Sequence, residues 1–250
     1  MISLDFSAIV FLFLIFVVAF LYSSVGHGGA SGYLALMGIY HMSPAVMRPS
    51  ALLMNIVVSA IAFAQYSRNR TLDTKLFLLL AFGSVPSTFI GAGISLDASI
   101  YERILSLVLV LPAMRLLLSS QKDNPVLREP NSALAVFMGI AIGLLSGMIG
   151  IGGGIILSPL LLMLGWANTK EVALMSALFI LVNSTAGMAG LVSKGFTFES
   201  TTYLWVCVAV AGGVCGGYLG SRKYNVVTIR RILGIVMLIA SAKLFLQSMR

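Results

Sequence analysis

Two stretches place polar, flexible residues inside an otherwise oily chain. They are "SSVGHGGASG" (23–32) and "GMIGIGGG" (147–154). A helix that opens on glycine leaves several main-chain N–H groups without an intrahelical partner, at the positive end of the helix dipole. Such a start binds anions. Gly28, Gly29, Gly152 and Gly153 are therefore candidate main-chain ligands for a small anion, and Ser24 and Ser31 add hydroxyls. His27 is the titratable group in the first break; its near-neutral pKa suits donation to an oxyanion or carriage of a proton. A neutral imidazole packed against a carbonyl fits the same position.

Further donors lie nearby in sequence. Arg48, in "MRPS", stands just before a proline suited to a helix start. It reads either as an interfacial side chain reaching for water or as a bidentate anion contact. Asn55 and Asn183, with Ser50, Ser176 and Ser184, sit in apolar segments, where an amide or hydroxyl needs a partner. That partner is either a neighbouring helix or a substrate. All eight acidic residues fall at predicted segment ends or loops, so neither a metal site nor a carboxylate relay is expected, and no cofactor. A buried carboxylate would also repel an anion.

The elements that must position these residues are membrane helices. The 250 residues are 59% apolar and 10% charged, against about 25% charged in soluble domains. Mean hydropathy is +1.02. Apolar runs of bilayer-spanning length fill the chain, which defines an all-α, polytopic integral membrane protein. The net charge of +8 does not point to nucleic acid, because the Lys and Arg residues sit at segment ends. Asp5 and the lack of Lys or Arg in the first ten residues argue for a retained first segment rather than a cleaved signal. Cys207 and Cys215 read as buried small apolar residues rather than a redox pair.

The chain is internally duplicated. "GHGGA" (26–30) answers "GIGGG" (150–154), "SAL" recurs at 50–52 and 176–178, and "RIL" recurs at 103–105 and 231–233. The expected division is a first transmembrane repeat over 1–120, a cytoplasmic linker over 121–131, and a second repeat over 132–250. Helical segments are predicted at 6–25, 28–40, 44–66, 75–95 and 101–120, then at 132–149, 152–165, 168–192, 200–220 and 227–248. The second segment of each half is too short to cross about 30 Å of hydrocarbon unaided. Charge placement bears on whether it crosses. If it does, loops 67–75, 121–130 and 221–231 share one side with nine Lys and Arg, against Arg48, Arg103, Lys170 and Lys194 opposite. If it turns back, the same charges split six against seven and carry no orientation signal. Five crossings per half follow, which makes the repeats inverted and puts both termini outside. Broken helices at matching places in inverted repeats point to a transporter's central site. Glycines also serve close helix packing, but their recurrence before two short segments favours a site. "GIGGG" lacks the lysine and the strand context of a nucleotide loop.

The stretches "SSVGHGGASGYLALMGI", "MRPSALLMNIVVSA" and "GMIGIGGGIILSPLLLMLG" resemble the sulfite exporter TauE/SafE family over essentially the whole chain. The resemblance implies transport, by export, of a small organosulfur or related anion such as sulfite or sulfoacetate across a bacterial-type inner membrane. His27 and Ala30 depart from the more glycine-rich pattern of the second half, so the halves are expected to contribute unequally. The expected partners are the anion and lipid, with homo-oligomer formation left open. An anion channel would share the site. "GASG" (29–32) matches an intramembrane serine protease motif, but both histidines lie within ten residues of Ser31 and none comes from a later segment. The charge split generates the first prediction. Single cysteines at Asn124 and Tyr224 should resist a membrane-impermeant thiol reagent in intact cells; ready labelling at both would overturn the orientation.

Overall fold

The computed structural model describes residues 6–69, 72–118, 127–196 and 198–220, with short pieces at 234–235, 238–239, 241–246 and 248–249. Among these residues every regular element is helical, and none is a strand. The helices are α1 (Phe6–Ser23), α2 (Ala30–Ile39), α3 (Pro44–Tyr66), α4 (Thr74–Ala92), α5 (Ala98–Leu118), α6 (Ser132–Ile149), α7 (Gly154–Leu164), α8 (Thr169–Val192) and α9 (Ser200–Gly220). Six are long and apolar enough to cross a membrane: α1, α3, α4, α6, α8 and α9. Residues 121–126, Asn124 and Tyr224 among the labelling sites, and most of the expected tenth segment lie outside the described residues.

Local chemistry sets the helix starts. Asp73 caps α4 by accepting from the Leu76 N–H at 3.0 Å, and Asn131 caps α6 by accepting from Leu134 at 3.0 Å. Asn168 and Glu171 form a reciprocal capping box at α8. By contrast α2 and α7 start on Gly29 (φ 100°) and Gly153 (φ 76°), with no side-chain cap at either. Those left-handed angles favour glycine, which is why both breaks are glycine-rich. The two short helices have 10 and 11 residues, less than the 28–40 and 152–165 spans expected, because the flanking glycines are coil.

Contacts in step along neighbouring helices give their directions. Gly212 and Gly216 of α9 lie over the Phe16 and Phe20 carbonyls of α1, so these two run the same way. The Ser50 and Thr202 hydroxyls meet at 3.2 Å while Gly213 lies over Val58, so α3 runs with α9. In the opposite group, Gly139, Gly143 and Gly147 of α6 lie over the main chain at Leu80, Ser84 and Thr88 of α4. Gly190 of α8 lies over Phe89, and Asn183 meets Thr88, so α8 runs with α4. The helix α3 packs against α8 in the reverse sense, with Asn55 on Ser184 and Leu52 on Gly187. Because α1 and α3 are parallel, the segment between them must bring the chain back. It does: Gly32 packs on Val18 and Tyr22, and the Tyr40 ring lies 4.9 Å from Phe11.

The first half thus packs crosswise on the second: α1 on α9, α4 on α6, α3 on α8. Exchanging corresponding segments maps this pairing onto itself. Glycine at the crossings lets backbones touch, where association in lipid rests on close packing rather than the hydrophobic effect. The same stripe corrects one expectation. Cys207 and Cys215 are exposed, not buried, because the inward face of α9 belongs to Gly212, Gly213, Gly216 and Gly217. Close approach at α4–α6 predicts a contrast. Gly143→Ala drives a methyl into the Ser84 main chain and should cost about 1–3 kcal/mol. Gly187→Ala, whose new methyl has neighbours no closer than 3.4 Å, should be neutral or slightly stabilising. Thermal denaturation in detergent measures both; equal effects would refute the packing account.

Candidate functional site

The two breaks meet at one side chain. Asn55, buried near the centre of α3, accepts a hydrogen bond from the Ala30 N–H at 3.1 Å. Its amide nitrogen donates to the Ile151 carbonyl at 3.3 Å and to the Ser184 hydroxyl at 2.9 Å. The orientation of the amide is fixed by its partners, since Ala30 N–H can only donate and Ile151 C=O can only accept. Gly28 and Gly152 both lie against this amide, and a Cβ at either would overlap it. Ile180 of α8 closes the same spot, touching the Cβ positions of Gly28, Gly152 and Gly154.

Two buried hydroxyls stand beside the bare helix starts. The Tyr33 hydroxyl is 2.9 Å from where a Cβ on Gly29 would be, and the Ser146 hydroxyl 2.7 Å from the corresponding position on Gly153. Both residues are fully buried, and neither hydroxyl has a hydrogen-bond partner among the described residues. A buried unpaired hydroxyl costs on the order of 1–3 kcal/mol, so one beside each helix start, from α2 itself at the first and from α6 at the second, calls for an explanation.

His27 links the first break to the second half. Its Nδ1 lies 3.1 Å from the Val25 carbonyl, and its Nε2 lies 2.8 Å from the Ser158 hydroxyl. Ser158 donates to the Gly154 carbonyl at 2.8 Å and also meets the Ser176 hydroxyl at 2.7 Å. The ring nitrogens' donor and acceptor roles follow the tautomer, which is coupled to where the single Ser158 proton points. Ser31 bonds the Tyr22 hydroxyl at 2.8 Å rather than His27, so the serine–histidine pairing of a protease is not formed.

Arg48 is 9% exposed and does not reach for water. Its guanidinium donates to Ala92 at 2.9 Å, Gly147 at 3.0 Å and Ile94 at 3.2 Å, gathering carbonyls at the ends of α4 and α6. A cation there satisfies carbonyls that have no helical partner and offsets two negative dipole ends. Its Nε is buried without a partner among the described residues, and its backbone lies against Gly150. Ser24 donates to Leu21 at 2.6 Å, and its carbonyl accepts from Tyr66 at 2.7 Å. Asn183 is not brought to the breaks: it donates to Phe179 at 2.8 Å and accepts from Thr88 at 2.8 Å. No cluster of three or more His, Cys, Asp or Glu side chains occurs among the described residues.

Sequence reasoning missed Tyr33, Ser146 and Ser158. Ser158 carried a faint signal, as a hydroxyl one helical turn past Gly154. Tyr33 and Ser146 had none, being ordinary members of apolar segments.

Apolar spans around two buried helix starts that lack a cap from their own segment fit the architecture of a membrane transporter. The chain belongs to the sulfite exporter TauE/SafE family, whose family model matches residues 11–244. It is 31% identical over 233 residues to the "Probable membrane transporter protein y4hK" of Sinorhizobium fredii, covering 92% of this chain and 94% of that one. It is 27% identical to the "Probable membrane transporter protein YunE" of Bacillus subtilis, covering 81% of each. No solved structure matches the chain. The chain is a multi-pass membrane transporter of this family.

The bare starts give the third prediction. Gly29→Val and Gly153→Val put a branched side chain at a left-handed angle, against Tyr33 and Ser146 respectively. Each should lower transport at least tenfold while membrane-inserted protein falls far less, as compared by proteoliposome flux and in-gel quantification. Normal flux in both would reduce these glycines to packing residues.

Proposed function

We propose that this chain exports a small organosulfur or related anion, such as sulfite or sulfoacetate, across a bacterial inner membrane by alternating access. The halves on either side of residues 121–131 act as inverted repeats around a central site. One observation carries the reading: two helix starts from different halves, neither capped by a side chain of its own segment, converge on the Asn55 amide. The inverted arrangement draws support from helix direction. Corresponding helices α1 and α6, α3 and α8, and α4 and α9 fall in opposite directional groups. Gly28, Gly29, Gly152 and Gly153 provide main-chain donors, with Asn55, Ser31 and His27 around the first start. Arg48 holds the ends of α4 and α6 and offers Nε toward the second break. Ser24 and Asn183 support the site from one layer away.

The anion runs down its own gradient, aided by an inside-negative potential worth about 2.3 kcal/mol per charge per 100 mV. Purified protein in liposomes should move sulfite, sulfoacetate, thiosulfate or methanesulfonate with saturable flux and counterflow, and in preference to small carboxylates. Potential should change that flux more than a pH gradient does. Absence of flux for all four sulfur anions would overturn the substrate class. Non-saturating flux without counterflow would make the protein a channel. A large pH-gradient response at zero potential, lost in His27→Gln, would make His27 the coupling residue.

A further inference from the structure

The start of α2 is already occupied by an oxygen. Asn55 Oδ1 sits 3.1 Å from the Ala30 N–H, at a helix N-terminus that no capping side chain of its own segment serves. A carboxamide oxygen carries partial negative charge and accepts along the direction a substrate oxygen would use. The fully buried Tyr33 hydroxyl, beside Gly29, points a second donor at the same start and has no partner among the described residues. Ala30 N–H and Tyr33 O–H are two donors beside Gly29, and only one of them is in use. At α7 the same amide behaves differently: it donates to the Ile151 carbonyl, so it blocks no N–H there.

We infer that the Asn55 carboxamide is an internal stand-in for the substrate, which an oxyanion displaces from the start of α2. The inference rests on the transporter reading above and assigns its regulation. An anion at Ala30 and Tyr33 outcompetes a neutral amide oxygen, because hydrogen bonds to ionised acceptors are about twice as strong. Once displaced, Asn55 keeps its bonds to Ile151 and Ser184 in the second half but loses its hold on α2 in the first. Binding thus severs the hydrogen bond through which Asn55 ties the first break to the second. An empty carrier stays latched, and a loaded one is released to rearrange.

The test uses sulfite and methanesulfonate as probes, with binding to purified protein and flux in liposomes measured separately. Removing the stand-in in Asn55→Ala should tighten probe binding roughly threefold to tenfold, the worth of one buried hydrogen bond no longer broken. Flux should nevertheless fall at least tenfold, because loading no longer changes a latch. Asn55→Asp should abolish binding at neutral pH by seating a permanent carboxylate. Weaker or unchanged binding in Asn55→Ala overturns the inference and makes Asn55 a direct ligand or a structural residue. Should the variants not fold, wild-type protein labelled with 15N-asparagine decides it. Saturating probe should shift the Asn55 side-chain amide resonance, and an unmoved resonance overturns displacement. Failure of wild type to bind either probe overturns the transporter reading's substrate class as well, whereas wild-type binding with weakened Asn55→Ala binding overturns displacement alone.

Discussion

A backbone that leaves the helix at membrane depth must find hydrogen bonds inside the protein, and this chain does so twice in one place. Asn55 resolves both cases with a single amide, accepting at one break and donating at the other. Much else follows from that economy. Gly28 and Gly152 must lack side chains because the amide lies against both. The face of α8 toward the amide must offer Ser184 for the second amide proton and Ile180 to exclude water.

The same demand for partners is met differently at the ends of the helices that flank the breaks. The carbonyls at the ends of α4 and α6 are gathered by a buried arginine, while the end of α1 is tied by the Tyr66 hydroxyl at Ser24. The Ile149 carbonyl is tied in turn by Tyr101 at 2.8 Å. A tyrosine thus serves each end, Tyr66 at α1 and Tyr101 at α6, and Arg48 adds a cation beside the α6 end, which gives the two ends different electrostatics. A buried guanidinium is tolerated there because several carbonyls and two dipole ends offset its desolvation.

The architecture was legible where backbone geometry dictates residue type. Left-handed helix starts favour glycine, so the two breaks stood out in the sequence, whereas Asp73, Asn131 and Asn168, which cap α4, α6 and α8, were not singled out there. Side-chain direction was less legible. Asn183 and Ser184 are neighbours in sequence, but one residue turns a helix by about 100°. That step sends Ser184 to the breaks and Asn183 to Thr88. Arg48 was ambiguous for a related reason: its role depends on where α4 and α6 end, which its own segment does not encode. Tyr33 became visible only when its missing partner could be counted.

The crosswise pairing of helices has a consequence for how the chain is made. The outer face of α1 can meet lipid at once, but its partner glycines on α9 begin about 190 residues after α1 ends. At ribosomal rates of 5–20 residues per second, α1 waits roughly ten seconds or more in the bilayer before Gly212 and Gly216 can settle on it. Through that interval the emerging first half has no finished neighbour for its outer helix. Biogenesis therefore depends on whatever shelters an incomplete bundle, and a nonsense mutation late in the gene harms the earliest helix as much as the last.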